Sequence, residues 1–318
     1  MEIRHDWTVD EVYALMTGPL EPLMAKASAL HQKYADHDLQ QCKLLSVKTG
    51  ACPEDCGYCS QSAHFKTQLS PEALMDVEKV TKEAREAKAD GATRFCMGAA
   101  WKNVPNDRRF DSILQMIANV AETGMEVCAT LGMATEDQLK QMKTAGLTAY
   151  NHNLDTSREH YSEVVTTRTY DDRLETLRAA RRAGVQLCCG GILGLGESVR
   201  DRAALLVELS SLNPHPESVP VNLLVPIPGT PLADAPPVPF EEFLRTVATA
   251  RILMPKSRVR LSAGRNTLSE AEQLQCFQVG ANSIFVGDKL LTTPNVPWES
   301  DRLLYEKVST QGTTPQIS

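Results

Sequence analysis

The sequence lacks long apolar runs, an excess of positive charge and repeated segments. Its longest apolar stretches, near 192–195 and 219–227, have the length of strands, so no membrane-spanning helix is predicted. Lys and Arg number 33 against 40 Asp and Glu, and the net charge of -7 argues against a nucleic-acid partner. No repeat of roughly 20–50 residues or low-complexity block is visible, which argues against solenoids and propellers.

The N-terminal residues also lack the pattern of an export signal. Residues 1–6 carry acidic side chains and no apolar segment, so we expect no signal peptide and a cytoplasmic location. In that reducing compartment the nine cysteines are expected to stay free, and nine is an odd number for a disulfide framework. The cysteines therefore need another explanation.

What is present is a repeated alternation of short β-like runs and longer helical runs, in a chain of 318 residues that is 42% hydrophobic. The eight β-like runs are 43–48, 93–97, 126–131, 147–151, 186–190, 218–224, 258–262 and 282–286. Eight strand–helix alternations without a linker predict an α/β fold, a (β/α)₈ TIM-type barrel with N-terminal helices. An open doubly wound sheet is the structural alternative.

The same pattern predicts how the chain is divided. Residues 1–40 are expected to form an N-terminal helical extension, and residues 41–293 the barrel. Residues 294–318 are Pro-rich and polar, and we interpret them as a C-terminal tail that is frayed at 311–318.

Three cysteines stand close together just after the first predicted strand. Cys52, Cys56 and Cys59 fall within eight residues, among Pro, Glu, Asp and Gly residues that indicate a loop. Such a group in a reducing compartment is a metal signal. Structural zinc is a rival, but it usually takes four ligands in paired units, and ferredoxin runs also supply four cysteines. Three thiolates on a four-iron cluster would leave one iron open to a ligand.

This C-x₃-C-x₂-C motif, with Tyr58 before its last cysteine, resembles that of the radical S-adenosylmethionine (SAM) superfamily. Further segments resemble the biotin synthase family within it: 51–56, 95–101, 150–157, 190–197, 259–265 and 280–285. The resemblance runs from about residue 44 to residue 294. It implies a [4Fe–4S] cluster whose open iron chelates SAM, and an electron that cleaves SAM to methionine and a 5′-deoxyadenosyl radical.

The resemblance further implies insertion of sulfur between two unactivated carbons of dethiobiotin to give biotin. Two SAM molecules would be consumed, and the sulfur would come from a [2Fe–2S] cluster. The implied partners are a flavodoxin-type or ferredoxin-type electron donor, iron–sulfur assembly proteins and a second copy in a homodimer. The alternatives are a related maturase-type radical SAM enzyme with another substrate, an iron–sulfur electron carrier, or a zinc-stabilised binding module.

A second metal site is predicted inside the barrel. Cys96, Cys128 and Cys188 fall in the second, third and fifth predicted strands and Arg260 in the seventh, where alternate residues point inward. Each cysteine alone could be a small core residue. The resemblance implies that all four residues ligate the [2Fe–2S] cluster. Because a guanidinium has no free lone pair, a charge-assisted hydrogen bond from Arg260 to a bridging sulfide is the milder interpretation.

Three other cysteines complicate this interpretation. Cys189 stands where the family pattern has Ser, and it adds a thiol beside Cys188. Cys42 and Cys276 fall outside the inward-facing set, so we expect neither to be a ligand.

A polar segment follows the fourth predicted strand. Asn151, Asn153 and Asp155 alternate along it, so all three should share one face at the carboxyl end of the barrel. Amide groups complement a cyclic urea, and a carboxylate suits a ribose diol, although an N-cap or turn role would also explain Asp155. Asn222 in the sixth strand is a second candidate for the urea. His152 should point away, and we interpret it as structural.

The remaining candidates are contacts to SAM. The resemblance suggests Arg173 as the partner of the SAM carboxylate and Tyr58 as a further cofactor contact. The Gly191–Ile192 backbone, in a glycine-rich run, would let the chain approach SAM closely.

Overall fold

The computed structural model describes residues 3–35 and 38–310, in which parallel strands alternate with helices. The strands are β1 (Gln40–Lys48), β2 (Arg94–Ala99), β3 (Glu126–Thr130), β4 (Ala149–Asn151), β5 (Gln186–Cys188), β6 (Gly191–Leu193), β7 (Ser218–Leu223), β8 (Arg258–Leu261) and β9 (Ser283–Val286). The helices are α1 (Val9–Thr17), α2 (Leu20–Tyr34), α3 (Val77–Ala89), α4 (Arg108–Ala121), α5 (Glu136–Thr144), α6 (Tyr161–Val164), α7 (Tyr170–Arg182), α8 (Val199–Ser211), α9 (Phe240–Leu253), α10 (Glu270–Gln278) and α11 (Trp298–Thr310).

The strands close into a barrel. Their order is β5-β4-β3-β2-β1-β9-β8-β7-β6, and β5 also pairs with β7 where Cys188 lies opposite Ser218. Since β5 and β6 both pair with β7, they form one interrupted strand, and the barrel has eight positions. The predicted (β/α)₈ barrel is confirmed, and the closure excludes the open sheet.

The interruption falls where the predicted fifth strand, 186–190, was expected to continue. β5 ends at Cys188, and a Cβ added to Gly190 would lie 1.9 Å from the carbonyl oxygen of Pro220. Only glycine permits this close crossing of β7. Leu154 N donates to the Gly190 carbonyl at 3.1 Å, so the segment after β4 runs alongside the break.

The N-terminal helices pack on the outside of the barrel. α1 lies against α8 and α2 against α9, through buried side chains that include Val12 and Leu23. The predicted helical extension of 1–40 thus contains two helices, but β1 begins at Gln40, three residues before the predicted start of the first strand.

The predicted polar tail of 294–318 contains a helix that the sequence pattern missed. Asp301 and Leu304 of α11 are buried, and residues 311–318 lie outside the described residues. Arg265, fully buried, donates to the Asp301 carboxylate at 2.8 Å and to Gln273 at 2.8 Å. This ion pair fixes α11 to the segment that follows β8.

We predict that Asp301→Ala lowers the free energy of unfolding by about 3–5 kcal/mol, because it leaves the buried Arg265 charge without its partner. The matched control is Lys307→Ala, which removes an exposed ion pair to Glu270 between α11 and α10 and should cost less than about 1 kcal/mol. Urea unfolding of both variants measures the difference. Equal losses would contradict the assigned role of the Arg265–Asp301 pair.

Candidate active site

One cavity of about 330 Å³ reaches from the barrel interior to the loops at the carboxyl ends of the strands. It brings together fourteen of the fifteen predicted site residues, which are Cys52, Cys56, Tyr58, Cys59, Cys96, Cys128, Asn151, Asn153, Asp155, Arg173, Cys188, Ile192, Asn222 and Arg260. Gly191 is the predicted residue that does not line it.

The loop with three cysteines follows β1 through a sharp turn. Gly50 and Ala51 have φ of 70° and 51°, and the second value is strained for a residue with a Cβ. Cys52 N donates to the Gln61 carbonyl at 2.8 Å, and Cys59 N donates to the Cys56 carbonyl at 2.9 Å. The loop is therefore folded upon itself, with all three thiols bordering the same cavity.

Two acidic residues tie this loop to the segment before α7. Glu54, 2% exposed, accepts from Arg168 Nε at 3.0 Å and from Thr167 Oγ1 at 2.6 Å. Asp55 accepts from the backbone N–H of Thr166 at 2.9 Å and of Thr167 at 3.1 Å. Burial opposes ionisation, but hydrogen bonds from Thr166 and Thr167 outweigh it and lower the pKa of Asp55 to about 2. No pattern in the sequence indicates these anchors.

Burial dominates the electrostatics of the three thiols. It raises the pKa of Cys56 to about 12 and of Cys59 to about 11, and it also raises the pKa of Cys52. The nearby Arg173 favours the Cys56 thiolate but does not outweigh burial. Thiolates form here only beside a strong positive charge, which metal ions provide.

A second group of thiols lies inside the barrel. Cys42, Cys96, Cys128 and Cys188 pack together around Ala149, and each is at most 3% exposed. We call these four residues the inner thiol cluster. Cys96 lies opposite Cys128 on neighbouring strands, so the three predicted thiols do meet.

The expectation that Cys42 lies outside the inward-facing set is wrong. The predicted first strand began at residue 43, whereas β1 begins at Gln40 and includes Cys42. Leu44 lies opposite Cys96, and Cys42 is two residues earlier on the same face of β1. The late start of the predicted strand removed this thiol from consideration.

Arg260 is fully buried beside this cluster. Its Nε donates to Ser283 Oγ at 2.9 Å, its Nη1 to Cys188 Sγ at 3.5 Å and its Nη2 to Gln40 Oε1 at 3.2 Å. Burial opposes the charge, but electrostatic attraction to the sulfurs of Cys42 and Cys188 outweighs it and raises the pKa of Arg260. In this arrangement Arg260 is a protonated donor, as the milder interpretation expects.

A second arginine, Arg94, was missed by the sequence analysis. It is 2% exposed, and its Nε pairs with Glu126 at 2.7 Å. Its buried Nη1 has no hydrogen-bond partner among residues 3–35 and 38–310. An unpaired buried guanidinium nitrogen near Cys128 fits an anionic group at the thiols. Arg94 stands two residues before Cys96, so strand alternation could have found it.

The two arginines make the inner thiol cluster electropositive. Burial acts to raise the pKa of Cys42, but contact with Cys96 and the charges of Arg260 and Arg94 outweigh it and lower the pKa to about 6. Contacts with Cys188 and Cys96 hold the pKa of Cys128 well below its usual value. Contacts with Cys128 raise the pKa values of Cys96 and Cys188 well above their usual value, so a thiolate without a metal is supported at Cys42 and Cys128 only.

The polar segment after β4 lies between the two groups of thiols. Asn151 Nδ2 donates to Cys188 Sγ at 3.3 Å and to Asn153 Oδ1 at 3.2 Å, and Asn153 Oδ1 also accepts from Gly190 N at 3.1 Å. β4 ends at Asn151, yet the alternation continues because the following residues bond to the interrupted strand. As predicted, Asn151, Asn153 and Asp155 all border the cavity.

Asp155 and Arg173, predicted to contact different parts of SAM, form a buried ion pair. Asp155 Oδ2 accepts from Arg173 Nη2 at 2.5 Å and from the Tyr58 hydroxyl at 2.9 Å. Arg173 Nη1 also donates to the Asn153 carbonyl at 2.6 Å and its Nε to Tyr161 Oη at 2.6 Å. These side chains are thus held in place before any ligand binds. A ligand would form hydrogen bonds to groups that already bond to one another.

Asn222 of β7 links β6 to the segment that follows β8. Its Nδ2 donates to the Gly191 carbonyl at 2.9 Å, and its Oδ1 accepts from Ala263 N at 3.1 Å. The amide still has a second N–H and a second lone pair for a ligand. A Cβ on Gly191 would lie 2.8 Å from the Asp155 carbonyl oxygen, so this glycine permits the close packing behind the cavity while Ile192 borders it.

Comparisons with known proteins identify the family. Curated biotin synthases are 54% identical over 313 residues in Sorangium cellulosum, covering 98% of this chain and 90% of that one, and 56% identical over 305 residues in Zymomonas mobilis, covering 96% and 91%. The chain belongs to the biotin synthase family. Within this family member, the profile of the Radical SAM superfamily matches residues 46–209, and that of the Biotin and Thiamin Synthesis associated domain matches residues 220–310.

Solved structures share the fold of this biotin synthase family member. The hydrogenase maturase HydG from Carboxydothermus hydrogenoformans matches with a TM-score of 0.81 at 17% identity, covering 95% of this chain and 75% of that one. Methylornithine synthase (PylB) matches with a TM-score of 0.79 at 17% identity, covering 97% and 94%. At this identity the likeness establishes the barrel alone.

Membership of the biotin synthase family makes the chain a radical SAM enzyme of the sulfurtransferase type, and it implies SAM and a [4Fe–4S] cluster. The electron carrier and the zinc-stabilised binding module are therefore wrong as alternatives. In the described part of the chain, no three His, Cys, Asp or Glu side chains converge as ligands of a single metal ion. Ligands of a cluster bind different iron atoms and need not converge on one point. No described helix is long and apolar enough to cross a membrane.

Three other residues of this biotin synthase family member, singled out in the sequence, are buried. His152 is 3% exposed and stacks on Tyr150, which packs in the main core, as expected of a side chain that points away from Asn151 and Asn153; the residue also borders the cavity. Burial holds the pKa of His152 well below its usual value. Cys189 and Cys276 pack in the main apolar core and not in the inner thiol cluster.

Proposed function

We propose that the chain inserts one sulfur atom into dethiobiotin to form biotin, consuming two SAM molecules and taking the sulfur from a [2Fe–2S] cluster. The supporting observation is that two separate groups of thiols border one cavity, with the polar segment 151–155 between them. Saturated carbons carry C–H bonds too weakly acidic for a side-chain base, so a cofactor must supply the chemistry.

Cys52, Cys56 and Cys59 would hold the [4Fe–4S] cluster, since the loop presents three thiols and no fourth. The cluster and SAM, when bound, supply the electron and the hydrogen-abstracting 5′-deoxyadenosyl group. The chain's own contribution is a fixed loop: Glu54 and Asp55 anchor it to residues 166–168, so the thiols keep their positions as the cavity fills.

Arg173, Asp155 and Tyr58 would bind and orient SAM. Arg173 carries the positive charge that a carboxylate needs, and Asp155 carries the acceptor oxygens that a ribose diol needs. Because both side chains are almost fully buried and already paired, they are preorganised for the ligand. Ile192 borders the cavity, and Gly191 supports the backbone behind it.

Asn151, Asn153 and Asn222 would hold the urea ring of dethiobiotin. Each amide retains hydrogen-bonding capacity beyond its contacts within the protein. The contact of Asn151 with Cys188 Sγ supports a urea site directly beside the inner thiol cluster. Held there, the two target carbons would lie between the group that removes hydrogen and the group that supplies sulfur.

Cys96, Cys128, Cys188 and Arg260 would hold the [2Fe–2S] cluster. Two buried polar atoms have no hydrogen-bond partner among the described residues: Arg94 Nη1, and Ser218 Oγ opposite Cys188. Both support an additional polar group beside these thiols. Burial of the thiols and of Arg260 also keeps bulk water away from the reacting carbons.

The proposal also covers the location, the oligomeric state and the partner proteins of the chain. We infer a cytoplasmic homodimer whose catalytic barrel spans residues 41–293, reduced by a flavodoxin-type or ferredoxin-type donor and loaded by iron–sulfur assembly proteins. The resemblance to the biotin synthase family supports each of these points.

The direct test is anaerobic incubation of the reconstituted protein with dethiobiotin, SAM and a reductant, followed by mass spectrometry. We expect biotin, with about two 5′-deoxyadenosine molecules formed for each biotin, and no product when SAM is left out. SAM cleavage that never yields biotin would contradict the proposal and favour a maturase-type enzyme with another substrate.

A further inference from the structure

We propose that Glu126 is a positioning residue for the inner thiol cluster. It orients Arg94 directly and Arg260 through Gln40, so that one guanidinium nitrogen of each arginine faces the thiols. Gln40, Arg94 and Glu126 are the first residues of β1, β2 and β3, so they lie at the end of the barrel opposite the loop of three cysteines. This inference rests on the proposed function, because it concerns the cluster assigned to the inner thiols.

The first support is that a single carboxylate oxygen joins two buried side chains. Glu126 Oε2 accepts from Arg94 Nε at 2.7 Å and from Gln40 Nε2 at 2.9 Å. Arg94 and Gln40 are 2% and 6% exposed, whereas the Glu126 side chain is 43% exposed. The two buried side chains are therefore tied to one anchor at the amino ends of the strands.

The second support is the direction that this contact gives to the Gln40 amide. An ionised carboxylate only accepts hydrogen bonds, so Gln40 turns its Nε2 to Glu126 and its Oε1 into the barrel. There Oε1 accepts from Arg260 Nη2 at 3.2 Å and from Ser283 Oγ at 3.1 Å. Because Ser283 gives its only hydroxyl proton to Gln40, its oxygen accepts from Arg260 Nε, at 2.9 Å. A reversed amide would set N–H groups against both donors.

The third support is where the remaining guanidinium nitrogens point. With Nε and Nη2 of Arg260 occupied, its Nη1 faces the thiols and lies 3.5 Å from Cys188 Sγ. Arg94 is held in the same manner, since its Nε bonds to Glu126 and its buried Nη1 has no hydrogen-bond partner among the described residues. Burial opposes the Arg94 charge, but attraction to the inner sulfurs and to Glu126 outweighs it and raises the pKa of Arg94. Each arginine thus presents one nitrogen to the inner thiol cluster.

A purely structural role is the alternative, because side chains at the amino ends of barrel strands commonly serve stability. The chain offers a matched contact that has only such a role. Arg265 Nη1 donates to Gln273 Oε1 at 2.8 Å, both side chains are buried, and neither borders the cavity. Truncation of Gln273 or of Gln40 leaves a buried arginine N–H without its acceptor, so the two losses are alike except for the nearby thiols.

The test compares Glu126→Ala with Glu126→Gln, and Gln40→Leu with Gln273→Leu, in the full chain after anaerobic reconstitution. Circular dichroism establishes that each variant is folded, and iron content establishes that it is loaded. Potentiometric titration followed by absorption and EPR then gives the reduction potential of the inner cluster.

The expected result is a lower potential wherever the arginines lose their orientation, because hydrogen bonds and positive charge near a cluster raise its potential. Glu126→Ala should have a lower potential than Glu126→Gln, which removes the same charge but keeps an acceptor oxygen. Gln40→Leu should fall below the parent, whereas Gln273→Leu should keep the parental potential.

Equal potentials in folded Glu126→Ala and Glu126→Gln would overturn the proposal, as would a shift in Gln273→Leu as large as that in Gln40→Leu. Loss of the inner irons in Glu126→Ala alone would support the same role, and loss in both Glu126 variants would contradict it. If Gln40→Leu does not fold, the two variants of the partly exposed Glu126 decide.

Failure of the proposed function would look different. A parent chain that binds no more than about four irons, as in a single [4Fe–4S] cluster, would overturn the second cluster and the proposed function with it. The iron content of the parent therefore separates that failure from a failure of the role assigned to Glu126.

Discussion

Cys56→Ala should reduce the reductive cleavage of SAM to the background rate, although the protein remains folded. Cys56 belongs to a loop that supplies three thiols to the cavity, and a cluster held by two of them would lose its fixed position. The loop itself should persist, because Glu54 and Asp55 hold it through contacts that do not involve the thiol. Anaerobic assays of 5′-deoxyadenosine, together with iron content, measure the effect.

Cys276→Ala is the control, since its thiol is equally buried but lies in α10 away from both groups of thiols. It should keep iron content and turnover. A Cys56→Ala protein that forms 5′-deoxyadenosine at the parental rate would contradict the assignment of the loop.

Asn153→Ser should keep both clusters but lose biotin formation by on the order of 100-fold, with the remaining SAM cleavage poorly coupled to product. Both hydrogen bonds of the Asn153 side chain to the described residues use Oδ1, so its Nδ2 is available to a ligand. Removing this donor leaves a buried ligand acceptor unsatisfied, at a cost of about 1–3 kcal/mol. The ratio of biotin to 5′-deoxyadenosine is the measurement that separates misplacement from loss of the cluster.

His152→Ala is the comparison for this variant. His152 borders the same cavity, but its buried Nε2 has no hydrogen-bond partner among the described residues, so truncation breaks no polar contact within them. We expect a much smaller loss of turnover. A greater loss in His152→Ala than in Asn153→Ser, with clusters intact, would show that the substrate contact was assigned to the wrong residue.

The barrel could be predicted because its signals are local. Each β-like run and the helical run after it can be recognised within a short window, and eight such pairs favour the closed sheet over the open one. The break between β5 and β6 could not be predicted, because it depends on Gly190 passing the Pro220 carbonyl, a contact between distant segments. The same is true of α11, which is polar in sequence and is held to the barrel by the buried Arg265–Asp301 pair.

The sequence predicts site residues correctly where side chains of suitable chemistry stand at alternate positions of one strand. Asn151, Asn153 and Asp155 follow a spacing of two, so their shared face was visible in the sequence. Cys42 was excluded by an error of three residues in the start of one strand, which is within the usual uncertainty of strand ends. The anchoring role of Glu54 depends on Arg168, more than a hundred positions away, and no periodicity indicates that contact.

The central claim is that the loop of three cysteines supports SAM cleavage and the inner thiol cluster supplies the sulfur. The origin of the sulfur in the product tests this division most directly. The protein is reconstituted with ³⁴S-sulfide, freed of unbound sulfide, and incubated for a single turnover with dethiobiotin, SAM and a reductant. We predict that the biotin formed carries ³⁴S and that about two irons per chain are lost from the inner thiol cluster as it forms. Unlabelled biotin, or labelled biotin formed with the iron of the inner thiol cluster fully retained, would contradict that division.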